Sequence, residues 1–291
     1  HSQTKLPFYA SIRLGTDGDE RRAALLAVKD RILRDGLQYV AERTRFFEPG
    51  AAFAEASRFS TPRGDFCALL CDTTPLEGVT SVRVACDALQ YFLFNMEISI
   101  SELLGVLMLR EDSGEKHEGT FQSRLVSDVG DGVQVELNFA TFSQMFGPSA
   151  AFGGGREFGV VVVEAVDEDD VFPYVSATRV RLDVSAAMTV TLQTRSHAAA
   201  PAGALDEPVV VITRTCLLSL RRPDTPVAPS VMRAVRDGIE RWGEAMIKKV
   251  REVVAHPHGN RSGGGGAPML ARQIAEFDVC ELLDDADADS R

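Results

Sequence analysis

Residues Ser230-Val-Met-Arg-Ala-Val-Arg-Asp-Gly-Ile-Glu-Arg-Trp-Gly-Glu-Ala-Met-Ile-Lys-Lys-Val-Arg-Glu-Val253 set Val231, Val235, Ile239, Trp242, Met246, Val250 and Val253 three and four positions apart. That spacing gathers side chains onto one stripe of an α-helix. Ser230 offers a side-chain oxygen to the free N–H groups of the first turn, and Pro257 cannot continue a helix, so the spacing predicts one helix of about seven turns. An apolar stripe of that length has to be covered by another element.

The cover stands upstream. Between 105 and 222 the period becomes two: Val133, Val135, Leu137 and Phe139 alternate with Gln134, Glu136 and Asn138, and Val180, Leu182, Val184, Ala186, Met188, Val190 and Leu192 alternate with Arg179, Arg181, Asp183 and Ser185. Alternation of this kind belongs to strands with one buried face. Further runs at 119–129, 156–166 and 208–221 bring the expectation to about six strands, joined by connections mostly too short for crossover helices, hence antiparallel. The fold class expected is α+β, an antiparallel sheet packed on a long C-terminal helix.

Toward the N-terminus, Leu25, Val28, Ile32, Leu33, Leu37 and Val40 predict an amphipathic helix over about 19–46, capped by Asp17 or Asp19. A short Ala-rich piece follows between proline and glycine breaks, then a strand at 65–72 and a turn at Pro75 to Gly78. Leu89, Phe92, Leu93 and Met96 mark a second helical stretch over 81–104, weakened by the β-branched run at Ile98 to Ile100 so that one helix or two short ones are open, with Gly105 at its end. The organisation expected is a flexible segment over 1–18, a single domain over 19–256, and a Gly-rich linker with an acidic tail over 257–291.

Charge and cysteine usage narrow the function classes. The chain of 291 residues is 45% hydrophobic, enough for a full core, and carries a formal charge of −11. Residues 276–291 account for −6 of it, and the mildly acidic remainder lacks the basic surface that neutralises phosphates, so direct nucleic-acid contact is not expected. Five thinly spread cysteines suit reduced packing thiols and a cytoplasmic or nuclear location. No apolar run reaches the length of a membrane span. The chain opens at His1 without a methionine, which points to a piece of a longer protein.

Catalytic patterns are weak. The histidines, His1, His117, His197, His256 and His258, fall at a terminus or in predicted loops, away from any nucleophile that needs a rigidly held imidazole. Cys67 and Cys71 share a strand face without a second ligand pair, and read as packing. Asp167-Glu-Asp-Asp170 lacks the spaced ligands of a calcium loop and reads as a solvated hairpin turn. Gly153-Gly-Gly155 lacks the lysine and hydroxyl of a phosphate loop. Asp183 and Glu136 are expected on solvent faces, as are Arg124 and Arg214, the internal charges that an enzyme on this frame would use. No catalytic residue, metal ligand or cofactor is assigned.

The order of elements resembles the helix-grip arrangement of START-like domains, and implies a curved sheet around the final helix with an apolar cavity between them. Locally, Phe94-Asn-Met-Glu-Ile-Ser-Ile-Ser101, Arg110-Glu-Asp112, Glu157-Phe-Gly159, Val166-Asp-Glu-Asp-Asp-Val-Phe-Pro-Tyr174 and Gly238-Ile-Glu-Arg-Trp-Gly243 resemble a large oomycete family. Some of its members are labelled mating-specific, and many carry a bZIP-like or coiled-coil stretch before a START-like region. The resemblance covers about 65–255 and holds no catalytic motif.

On that reading the chain is a non-catalytic binding domain holding a lipid or other apolar small molecule. Trp242, Met246 and Val250 on the helix would face Met188, Phe139 and Leu137 on the sheet. The alternative is a ligand-free regulatory or dimerisation module of a transcription-related protein, with homo-oligomerisation through sequence upstream of His1. An enzyme on the same frame would need polar residues converging in the cavity.

Overall fold

The computed structural model describes residues 5–111, 116–130, 132–148, 152–195, 207–224 and 226–256. The linker and acidic tail expected over 257–291, Cys280 among them, lie outside the described residues. The chain divides into a unit His1–Val254 and a second, Ala255–Arg291; the elements below belong to the first, apart from the final residue of the last helix.

In chain order they are β1 (Arg13–Leu14), α1 (Gly18–Thr44), β2 (Phe53–Ser60), β3 (Phe66–Leu76), α2 (Val82–Phe94), α3 (Met96–Leu104), β4 (Met108–Arg110), β5 (Lys116–His117), β6 (Thr120–Asp128), β7 (Gln134–Phe146), β8 (Phe158–Ala165), β9 (Glu168–Asp169), β10 (Arg179–Arg195), β11 (Glu207–Leu220), α4 (Pro229–Glu240) and α5 (Trp242–Ala255). Nine strands form one sheet in the order β2-β3-β11-β10-β8-β7-β6-β4, with β5 also on β6. Neighbours are antiparallel except where β10 runs past β8 and pairs directly with β7, Arg179 to Arg181 lying parallel to Gln134 to Glu136.

Both faces of this sheet are covered. On the inner face α2, α3, α4 and α5 bury Leu125, Leu137, Phe139, Met188 and Ile212 in one core cluster. On the outer face α1 buries Phe142, Val160, Val162 and Ala187 in a second. Gly36 allows α1 its close approach, since a Cβ there would stand 2.7 Å from a methyl of Val162. Double coverage explains why β8 is buried at every position instead of alternating.

Several expectations are corrected. The final helix is two helices, because the Arg241 N–H turns back to the carbonyls of Gly238 and Ile239 and tightens the chain between α4 and α5. Its N-cap is Ala228, with Pro229 in the first turn, where a missing N–H costs nothing. Ser230 therefore lies inside the helix. The Ala-rich piece contains β2, an edge strand whose side chains are almost all exposed, so it has no alternation to read. Within the segment expected to be flexible, Leu6, Phe8, Ala10, Ile12 and Leu14 are buried against α1 and the outer face. The break in the second helical stretch falls at Asn95, and Gly105 ends α3 in the left-handed conformation at φ 66°.

The acidic run is not a solvated turn. Asp169 is buried and accepts hydrogen bonds from Arg21 at 2.7 and 3.0 Å, Gln122 at 2.8 Å and Asn138 at 2.8 Å. Burial raises its pKa, but those donors outweigh burial and hold it down at about 2. Asp167 accepts from the Tyr9 hydroxyl and the Ile12 N–H, both at 3.0 Å. Glu136 and Arg124, expected in solvent, are 3% and 4% exposed and paired at 2.9 Å, with Arg179 at 3.0 Å from the same carboxylate.

Candidate functional site

The inner face and the helices enclose a chamber. Strand pleating turns Val184, Ala186 and Met188 of β10 and Cys216 and Leu218 of β11 toward it, Phe139 and Val163 extend the wall, and Phe92, Leu93 and Met96 close one side. Ile239, Trp242 and Met246 form the roof on α4 and α5. The open volume is about 50 Å³, far below the roughly 300–1,000 Å³ of small-molecule sites.

One charge enters this apolar wall. Arg214 on β11 stands directly opposite Asp72 on β3 and donates from Nε at 2.8 Å and Nη2 at 2.6 Å to a single Asp72 oxygen. The two side chains are 12% and 16% exposed. The guanidinium lies against α5 at Gly243, where a Cβ would stand 2.2 Å from Nη2. Beside it, burial pushes the Cys216 thiol up to about 11, against the pull of Arg214, so the sulfur stays an un-ionised packing group.

Trp242, Met246, Met188 and Phe139 line the chamber. Leu137 and Val250 are 1% and 0% exposed and belong to the surrounding core without lining the open volume. Arg214 was expected on a solvent face and is inside; it shares strand parity with Ile212, Cys216 and Leu218, which marked the inward face. Phe92, Leu93 and Met96 stood out as an apolar stripe, with nothing local to say what the stripe faces. Cys67 and Cys71 are buried. Among the described residues, no three His, Cys, Asp or Glu side chains group to hold a metal ion, and no helix is long and apolar enough to cross a membrane.

Comparison with protein-family models and with curated proteins finds no match. Among solved structures the chain is similar to human STARD10, with a TM-score of 0.41 and 10% identity over 78% of this chain and 80% of that one. It is also similar to Ara h 8.0201, with a TM-score of 0.24 and 9% identity over 70% of this chain and 97% of that one. The fold is α+β. Its mark in this chain is a large antiparallel sheet that carries the C-terminal helices on its inner face, with a chamber where the two meet.

Proposed function

We propose that this chain binds a hydrophobic small molecule between the sheet and α4–α5, with its polar end held by Arg214 and Asp72. The supporting observation is that Arg214 is the one charged side chain in an otherwise apolar chamber lining, with Asp72 paired to it from behind. Burial of apolar ligand surface would supply affinity at roughly 25 cal/mol per Å², and the ion pair would fix orientation. The domain works in this reading without catalysis. A lipid-sized ligand exceeds the 50 Å³ of open space, so its uptake requires Trp242 and Met246 to move outward with their helices.

The tightness of the chamber favours a second reading, a packed regulatory or dimerisation module with no small ligand. Native mass spectrometry of the chain purified from a lipid-rich host, with extraction of bound molecules, separates the two. A stoichiometric apolar ligand, lost in Met246→Trp, is the expected result. A clean apo mass with no uptake from a lipid panel would overturn it and leave the packed module.

A further inference from the structure

Strand alternation writes a second concavity on the opposite face of the sheet. Along β10 the even positions serve the apolar chamber, while Arg181, Asp183 and Ser185 face outward into a pocket of about 350 Å³. Its remaining walls come from the N-terminal segment at Lys5 and Tyr9, the β2–β3 turn at Thr61 to Asp65, β8 at Glu164, and Leu217, Ser219 and Arg221. That volume falls within the range of small-molecule sites, and most of the residues lining it carry a polar or charged side chain.

Each aspartate of the lining already has donors. Asp183 is held by Arg181 at 2.6 Å and Arg221 at 2.7 Å. Asp167 is held by Tyr9 and the Ile12 N–H, and Asp65 by Thr61 and the Arg222 N–H. Arg181 also donates to the carbonyls of Val166 and Asp167. Lys5 rests over the Tyr9 ring at 3.4 Å, and neither it nor Arg63 makes a salt bridge among the described residues. On the floor, Glu164 is 1% exposed; its Oε1 accepts from Ser185 at 2.8 Å, and its buried Oε2 has no partner among the described residues.

We propose that this pocket binds a small solute carrying an oxyanion, a carboxylate or a phosphate, with its charge between Lys5 and Arg63 and one oxygen at Glu164 Oε2. Burial, reinforced by the nearby Asp167 and Asp183 and opposed by Ser185 and Lys5, lifts Glu164 to about 8. At neutral pH Oε2 therefore carries a proton and acts as a donor. Lys5, Arg63 and protonated Glu164 then present donors from three separate elements, a set that an acceptor-rich anion satisfies and an amine does not. This site is independent of the apolar chamber.

The test is calorimetric titration of the full chain with succinate and, separately, inorganic phosphate. One saturable site is expected near pH 7 for one of the two, which tells a carboxylate from a phosphate ligand. Lys5→Gln combined with Arg63→Gln should weaken it at least about tenfold, through loss of charge-assisted hydrogen bonds. Raising the pH to about 9.5 should weaken succinate, which stays ionised throughout, by about tenfold as Glu164 loses its proton. Glu164→Gln, which keeps a donor, should bind near pH 7 and lose that pH dependence. No saturable binding of either anion near pH 7, binding indifferent to the Lys5 and Arg63 substitutions, or uptake of ethylamine instead would overturn the proposal. Lys5 and Arg63 are exposed, so their variants carry the test even where Glu164→Gln fails to fold.

Discussion

Arg214, the one charged side chain lining the apolar chamber, donates two hydrogen bonds, at 2.8 and 2.6 Å, to one oxygen of Asp72 across the β11–β3 ladder. Removing one member strands the other's charge in the interior, whereas removing both removes the problem. Asp72→Asn and Arg214→Met should each cost about 3–5 kcal/mol in urea unfolding. The double variant Asp72→Leu/Arg214→Met should cost clearly less than the sum. If the pair holds a ligand's polar end, the double variant should fold yet lose that ligand in native mass spectrometry.

Gly243 is the counterpart of that pair on α5. A Cβ there would stand 2.2 Å from Nη2 and 2.7 Å from Cζ of Arg214. A free arginine tip would swing aside at small cost, but this one is tied to Asp72. Gly243→Ala should therefore lower stability by about 1–3 kcal/mol, the usual scale of overpacking, despite alanine's better helix propensity. In the Asp72→Leu/Arg214→Met background the same substitution should cost nothing or stabilise, and thermal unfolding of the four proteins checks this.

How much of this arrangement was legible depended on distance along the chain. The periods of Val180 to Leu192 and Val231 to Val253 announced a strand and a helical stretch, though not its break at Arg241, because each pattern is local. β2 gave no such signal, since an exposed edge strand has no buried face to alternate. Buried charges were misplaced for a related reason: Arg21 and Asp169 are neutralised by each other across 148 residues, so neither betrays its burial to its neighbours. The phrases Phe94 to Ser101 and Arg110 to Asp112 make the same point. Arg110 bridges to Glu97 at 2.8 Å and donates to the Phe94 carbonyl, a contact that joins α3 to β4.

Asp169 should control the acid limit of stability. Its pKa lies at about 2 in the fold against 3.8 ordinarily. Its contribution is therefore present above about 3.8 and lost as pH falls through about 2, a difference of about 2 kcal/mol. Asp169→Asn should lower stability at neutral pH and show a shallower loss below about pH 4. An acid limb identical to that of the parent would exclude Asp169 as its source. Arg21→Met should reproduce the neutral-pH loss, because it removes the bidentate donor.

Glu164 should act in the opposite direction and over a different range. Its folded pKa of about 8 stands above the ordinary 4.5, so between those values the folded chain holds a proton that the unfolded chain has released. Stability contributed by this group is complete below about 4.5 and is lost as pH rises through about 8, by on the order of 3–5 kcal/mol. Glutamine keeps the shape and the hydrogen bond to Ser185 without titrating. Glu164→Gln should accordingly flatten the decline between about pH 5 and 8 and exceed the parent in stability at about pH 9. Urea unfolding across that range, followed by tryptophan fluorescence, decides it: parallel curves for parent and variant would show that Glu164 is ionised in the fold at neutral pH.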